Sequence, residues 1–331
     1  MTKTREEIQE EAKFNIRPQY LTDFIGQELL KQNLAVLIGA ALVRGEVLDH
    51  ILFYGPPGLG KTTLALIIAN EMRTNCHITT GPMLKKVEDL AGILTKLSHG
   101  DIFFVDEIHR LRREVEEVLY PAMEDRVLDI LVGKGKDTKM VRLPINPFTL
   151  IGATTRRSML TAPMRARFGA VYRMDYYDLQ SICQIVYRSA KVLGVTINNE
   201  AAIEIANRSR GTPRTTNMLL RRVRDYAQFL ANGHITTEVV LNTMEMINVD
   251  NVGLDWLDRK VLEIIINQFN GGPVGLDTLA SMVSEETDTI NSVVEPYLLR
   301  LGFIERTTKG RIATQAGYEH LGIPYTNFDK W

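Results

Sequence analysis

The sequence predicts an α/β fold, a parallel sheet with helices on both faces, followed by a small helical domain and a third unit of helices and a β-ribbon. Three observations carry that prediction. Apolar, strand-like runs recur at 51–54, 102–105 and 148–152, with segments of helical period between them, the alternation of a helix-covered parallel sheet. The first run leads straight into Gly55-Pro56-Pro57-Gly58-Leu59-Gly60-Lys61-Thr62, the spelling G-x-x-x-x-G-K-[ST] of a phosphate-binding loop, and a helical pattern follows. From Asp178 onward the pattern is helical until Phe303 opens a short hairpin.

At 331 residues the chain exceeds one typical core and is expected to form two or three domains. Hydrophobic residues at 45% and charged residues at 24% are those of an ordinary soluble globular protein. A net charge of −1 neither demands nor excludes nucleic acid, so any such contact has to come from local patches. No stretch approaches the roughly 18 apolar residues of a membrane span, and residues 1–11 are too charged for a signal peptide, so a cytoplasmic location is expected. Cys76 and Cys183 form no CxxC pair and are expected to be reduced packing residues. The six histidines lack metal-ligand spacing, and His77 beside Cys76 is expected to be structural.

In chain order, helices are expected at 64–72 and 115–123, the second with Pro121 inside it as a possible kink. Segment 128–145 alternates apolar and polar positions on either side of Gly133-Lys134-Gly135-Lys136-Asp137, the pattern of a β-hairpin projecting from the sheet domain. The following helical domain should place Ile182, Ile185, Val186 and Ser189, and later Ile203, Ile205 and Ala206, on buried faces. After Asn251-Val252-Gly253, three helices at 257–269, 276–283 and 290–301 end at Gly302 and give way to a short hairpin. Three helices and a β-ribbon make a winged helix. The expected boundaries are 1–177 for the sheet domain, 178–251 for the helical domain and 252–331 for the winged helix.

The phosphate loop points to a nucleoside triphosphate. Glycines such as Gly58 and Gly60 let backbone N–H groups close on phosphate oxygens, and the next helix turns its positive end toward them. Lys61 would reach the β- and γ-phosphates, and Thr62, with Thr63 beside it, offers a hydroxyl to Mg²⁺. The run Ile102-Phe103-Phe104-Val105-Asp106-Glu107 ends a buried strand in two acids. Asp106 would hold Mg²⁺, directly or through water, and Glu107 would polarise the water that attacks the γ-phosphate. Thr154 and Thr155 follow the next strand, and Thr155 is the expected sensor of that water or phosphate. Arg165 and Arg167, two residues apart on a helical turn, point apart, so only one can stabilise a given phosphoryl group. Arg214, after Gly211-Thr212-Pro213, could turn back onto a nucleotide bound between the first two domains. Arg221, Arg222 and Arg224 on the same helix are expected to be a solvated face.

With these residues in place, the chain resembles the AAA+ ATPases, and within them the RuvB family of motors that drive Holliday-junction branch migration in recombination and repair. The resemblance covers nearly the whole chain. It rests on Arg17-Pro18 with Phe24-Ile25-Gly26-Gln27, the phosphate loop, Asp106-Glu107-Ile108-His109-Arg110-Leu111, the segment from Glu117 to Asp125, Gly152-Ala153-Thr154-Thr155-Arg156, Arg167-Phe168-Gly169 and Gly211-Thr212-Pro213-Arg214. It implies an ATP hydrolase with an AAA+ P-loop NTPase core, lid and winged helix, working as a homohexamer around double-stranded DNA. It also implies Ile16, Arg17 and Tyr177 beside the base of ATP, and Glu124, Asp125 and Arg126 near the site across the ring. Arg167 becomes the finger acting in trans and Arg214 the second sensor. The hairpin would dock the junction-binding partner RuvA, the resolvase RuvC would join the complex, and Arg306 and Arg311 of the wing would contact the DNA backbone.

This chain departs from the family pattern at Arg157-Ser158, at Ala166 and at Lys309 of the wing, and none of these removes a catalytic group. Two rival functions remain open to a sequence of this kind, a clamp-loader-like AAA+ remodeller and a winged-helix regulator switched by nucleotide. The winged helix in place of a helical collar argues against the first, and intact Glu107 and Arg167 weigh against the second.

Overall fold

Ile102-Phe103-Phe104-Val105 offers no polar position on either face, the composition of a strand covered on both sides. In the computed structural model, which describes residues 2–3, 16–132 and 139–325, all four of those side chains are buried. Contacts divide the chain into two compact units, residues 1–197 with 211–221, and residues 198–210 with 222–331.

The first unit carries β1 (Thr2–Lys3), α1 (Glu28–Arg44), β2 (Ile51–Tyr54), α2 (Lys61–Met72), β3 (Cys76–Thr80), α3 (Val87–Leu94), β4 (Ile102–Asp106) and α4 (Arg113–Glu124). It continues with β5 (Val127–Val132), β6 (Lys139–Pro144), β7 (Thr149–Thr154), α5 (Ala162–Ala166), β8 (Ala170–Arg173), α6 (Leu179–Val192) and β9 (Thr196–Ile197). The main sheet has the order β1-β3-β4-β7-β2-β8, parallel throughout except for β1 at its edge. One face is covered by α3 and α4, whose Leu90, Leu94, Val115 and Leu119 pack with Leu52, Phe103 and Val105. Across the sheet α2 lies against β3, β4 and β7.

Strands β3 and β8 were not among the three expected runs. The first, Cys-His-Ile-Thr-Thr, buries only Cys76 and Thr79, and the second buries none of its four residues, so neither carries the apolar signal of an interior strand. The expected strand at 148–152 lies slightly later, at Thr149–Thr154. Helix α4 runs on through Pro121. The projecting hairpin is present as β5 and β6, in register from Val127↔Pro144 to Val132↔Lys139, and its tip, Gly133 to Asp137, lies outside the described residues.

The second unit begins with α7 (Asn199–Arg208), includes the later turns of α8 (Pro213–Leu230), and continues through β10 (His234–Ile235), α9 (Thr237–Met246), α10 (Trp256–Gln268) and α11 (Leu276–Val283). Ile205 and Ala206 of α7 are buried as expected, but Ile203 is exposed, because a position two before Ile205 turns to the opposite face of a 3.6-residue helix. The third helix of the winged unit starts at Thr287, passes through a π-helical stretch at Ile290–Val294 and ends as α12 (Glu295–Arg300). The wing is β11 (Ile304–Thr307) and β12 (Gly310–Ala313), paired Arg306↔Arg311 and Thr307↔Gly310, and α13 (Gln315–His320) follows it. Leu262, Ile265, Leu279, Leu298 and Tyr318 centre this unit's core. Arg210 ties its first segment to the winged helix, donating to the Gly253 carbonyl at 2.9 Å and stacking over the Tyr297 ring at 4.7 Å.

Candidate nucleotide site

Parallel strands in register end together, so the loops that follow β2, β4 and β7 open on one end of the sheet, where ligands of such folds bind. Tyr54 pairs with Thr154, and the Gly55 N–H continues the ladder by donating to the Thr154 carbonyl at 3.2 Å. The phosphate loop then turns into α2, whose first residues are Lys61, Thr62 and Thr63. Gly58 has φ of +81°, and a Cβ there would stand 3.2 Å from Cβ of Arg214, so the loop and the start of α8 approach to backbone distance. The Arg214 N–H seals that approach by donating to the Gly58 carbonyl at 3.2 Å.

Lys61 is buried, and its ammonium donates to the carbonyls of Gly55 at 2.8 Å and Pro56 at 2.7 Å. Desolvation pulls its pKa down to about 8, opposed by the carboxylates of Asp106 and Glu107 and reinforced by Arg214. That balance places the cation of the loop, both acids and the arginine of α8 within electrostatic reach of one another. Asp106 ends β4, and its Oδ1 accepts the Glu107 N–H at 3.0 Å. Glu107 turns with φ of +49°, a left-handed conformation that costs a non-glycine residue about 1–3 kcal/mol and is typical of functional turns. Gly81, at the end of the neighbouring β3, makes room for it, since a Cβ there would stand 2.5 Å from the Glu107 carbonyl oxygen.

Thr155 donates its hydroxyl to Oε2 of Glu107 at 3.3 Å, which brings the expected sensor to the expected base. His109, to which the sequence assigned no role, places Nδ1 3.2 Å from the same carboxylate oxygen and 2.8 Å from Oγ1 of buried Thr154. Its signal in the sequence is its place two residues beyond Glu107, within the Asp106–Leu111 segment. Tyr177 is buried with its hydroxyl donating to the Leu59 carbonyl at 3.0 Å, and burial pushes its phenol pKa up. Ile16 is buried and accepts a hydrogen bond from Arg188 at 2.7 Å, while Arg17 is exposed.

Glu124, Asp125, Arg126 and Arg167 gather elsewhere. The Arg126 guanidinium donates to the Phe148 carbonyl at 3.2 Å and lies beside His50, residues that precede β7 and β2. Arg167 pairs with Glu124 at 3.1 Å, donates to the Pro163 carbonyl at 3.0 Å and stacks over the Tyr120 ring at 4.1 Å. It stands just ahead of β8, whose first residue bonds the His50 carbonyl. This cluster therefore sits at the opposite end of β2 from the phosphate loop, and five residues from His50 to Gly55 at about 3.3 Å each separate the two by roughly 16 Å. No rotamer of Arg167 or Arg126 bridges that gap within one chain.

In the wing, Glu295 is buried and accepts from Arg306 at 2.9 Å and from Arg311 at 2.9 and 3.0 Å. Burial opposes its charge, but the hydrogen bonds from the two arginines prevail and hold its carboxyl below the usual range. Arg306 keeps 54% of its side-chain surface exposed and Arg311 only 15%, so the two wing arginines differ in what they can offer a ligand. Among the described residues no cluster of three or more His, Cys, Asp or Glu could enclose a metal, and no helix is long and apolar enough to cross a membrane. His77 bonds Asp101 at 2.9 Å, and both cysteines are free thiols.

Three family models match in succession along the chain. They are the Holliday junction DNA helicase RuvB P-loop domain over residues 16–174, the RuvB AAA lid domain over 177–250 and the RuvB C-terminal winged helix domain over 251–322. The Holliday junction branch migration complex subunit RuvB of Dehalococcoides mccartyi is 58% identical over 322 residues, 97% of this chain and 92% of that protein. Among solved structures, the Thermotoga maritima RuvB Holliday junction branch migration motor is 49% identical with a TM-score of 0.85, covering 94% of this chain and 99% of its own. A variant of the same Thermotoga protein gives a TM-score of 0.87 over 94% of this chain and 100% of its own. A parallel sheet ending in this phosphate loop, three consecutive domain matches and that degree of identity together mean that the chain belongs to the RuvB family of P-loop AAA+ ATPases.

Proposed function

We propose that this protein is an ATP-driven motor for Holliday-junction branch migration, hydrolysing ATP to ADP and phosphate as a hexameric ring that pulls duplex DNA through a junction held by RuvA. The observation that carries the reading is the division of the machinery between the two ends of the sheet. Lys61, Asp106, Glu107, Thr155 and Arg214 converge at one end, while Arg167 with Glu124, Asp125 and Arg126 lies at the other. A head-to-tail contact between copies would bring one copy's second cluster to the next copy's phosphates, and a repeated heterologous contact whose rotation closes makes a ring.

Within the site, Gly58, Gly60 and Lys61 would hold the phosphates, and Ile16, Arg17 and Tyr177 would line the base. Thr62, with Thr63 beside it, and Asp106 offer hard oxygen donors of the kind that bind Mg²⁺ alongside phosphates and water, so the residues present fit that ion. When bound, Mg²⁺ neutralises charge on the phosphate oxygens. Water attacks the γ-phosphorus as the bond to the bridging oxygen of ADP breaks, and the Glu107 carboxylate takes the proton. Thr155 orients that water, Arg167 of a neighbouring copy stabilises the charge on the transferring group, and Arg214 reports nucleotide to the lid.

We assign 1–177 to the ATPase domain, 178–251 to the lid and 252–331 to a DNA-binding head. The β5–β6 hairpin would dock RuvA, RuvC would join the assembly, and the wing would contact DNA phosphates through Arg306 and Arg311, sensitive to salt and largely blind to sequence. A motor of this kind would act in the cytoplasm. The test is ATP hydrolysis and strand movement on a four-way junction, with and without RuvA, for the wild type, Glu107→Gln and Arg167→Ala. Junction movement that needs ATP and RuvA and is lost in both variants supports the motor. Hydrolysis without junction movement favours a loader, and no hydrolysis favours a nucleotide-switched DNA binder.

A further inference from the structure

The catalytic turn holds one buried polar side chain that the mechanism above leaves unused. The His109 side chain keeps 3% of its surface exposed against 32% for Glu107, so the imidazole forms the inner wall behind the carboxylate. Its Nδ1 lies 3.2 Å from Oε2 of Glu107 and 2.8 Å from Oγ1 of Thr154. Thr154 is fully buried at the end of β7, and its hydroxyl oxygen also accepts the Arg156 N–H at 2.9 Å. The imidazole thus stands between the end of β4, which carries the base, and the end of β7, which carries the sensor.

We propose that His109 is a positioning residue for hydrolysis, gripping the Glu107 carboxylate by Oε2 and tying it to the fixed end of β7, so that Oε1 is presented to the attacking water. The inference rests on the reading of Glu107 as the base. A glutamate has three side-chain torsions to fix, and a base works only within hydrogen-bond reach of its water, so a wall that removes that freedom raises the turnover step without touching substrate. The Thr155 hydroxyl donates to Oε2 of this carboxylate at 3.3 Å, and Nδ1 of His109 stands 3.2 Å from the same oxygen. The local backbone supports the same role. The left-handed Glu107 closes a tight turn in which the Arg110 N–H bonds the Glu107 carbonyl at 2.9 Å, and this fixes His109 relative to the carboxylate.

The test uses the full-length chain as wild type, His109→Asn and His109→Leu, each with Glu107 intact and with Glu107→Gln. Steady-state and single-turnover ATP hydrolysis and binding of a fluorescent ATP analogue are measured in parallel. His109→Leu is expected to lower kcat about 10- to 100-fold with nucleotide affinity unchanged, as loss of orientation does. His109→Asn, whose amide can return a donor near the place of Nδ1, should recover a large part of it. In the Glu107→Gln background His109→Leu should cause no further loss, because the group it positions is gone. A His109→Leu protein with native kcat overturns the proposal, as does one whose affinity falls in step with kcat, or one that loses as much again with Glu107→Gln. Should His109→Leu not fold, the cycle built on His109→Ala, which likewise removes the ring, decides by the same criterion of non-additivity. A wild-type chain that hydrolyses no ATP would instead sink the motor reading itself.

Discussion

A single methyl group added at Gly81 should slow hydrolysis while leaving nucleotide binding in place. Its Cβ would stand 2.5 Å from the Glu107 carbonyl oxygen and 3.2 Å from backbone atoms of Arg110 and Leu111, where real Cβ contacts essentially never fall under 3.0 Å. The Glu107 peptide must therefore retreat from 2.5 Å to at least 3.0 Å, a shift of about 0.5 Å in a close-packed turn. The same carbonyl accepts the Arg110 N–H, so the retreat also loosens the turn that carries His109. A misplacement near 1 Å at reacting groups costs about a hundredfold, so half of that should lower kcat by roughly tenfold. Overpacking of this size costs about 1–3 kcal/mol of stability, which thermal unfolding would register separately. The assay is steady-state hydrolysis beside equilibrium binding of an ATP analogue on Gly81→Ala. A folded variant with native kcat would refute the reasoning, and so would one whose affinity falls as far as its kcat, since the phosphate loop belongs to β2 and not to β3.

Three further outcomes follow from the charged groups. Because Lys61 titrates near pH 8 before nucleotide arrives and phosphates favour its charged form, ATP binding should take up a proton and weaken as pH rises above 8; calorimetry at pH 9 in buffers of different ionisation heat would detect the uptake, and its absence would count against the burial of that ammonium. Burial holds the His50 pKa down at about 4, below its ordinary 6.5, so the unfolded chain binds more protons between those values; stability should be full above pH 6.5 and fall by about 3 kcal/mol as pH drops to 4. Denaturant titrations of the wild type and His50→Gln across that window should differ in slope, and parallel curves would refute the assignment. In the wing, Arg306→Ala should weaken duplex binding and reduce the salt slope by about one with the fold intact, whereas Arg311→Ala, which strips the buried Glu295 of its bidentate partner, should cost about 3–5 kcal/mol in stability. A stable Arg311→Ala protein that has only lost DNA affinity would reverse those two roles.

The sequence was most legible where function needs contiguous residues. The run Gly55 to Thr62 and the pair Asp106-Glu107 each sit in one unbroken segment at the end of an apolar strand, and the structure brings them together with Thr155 and Arg214. Strands β3 and β8 escaped because a short polar strand and a four-residue edge strand need no apolar alternation to pair. His109 and Gly81 escaped for a different reason. Their importance lies in where strands β3, β4 and β7 end relative to one another, a register that no linear spacing encodes. Arg306 and Arg311 look equivalent as letters flanking a turn, yet they differ in exposure because Glu295, from a helix that ends before the wing begins, claims one of them more fully.

The span of β2 that separates Lys61 from Arg167 also makes catalysis a collective property of the solution. If each site borrows its finger from a neighbour, specific activity should climb steeply with protein concentration and vanish on dilution, as it does for no self-sufficient enzyme. Free subunits would then leave ATP untouched. Assembly itself becomes the switch, so ATP is consumed only where enough copies have gathered to close a circle.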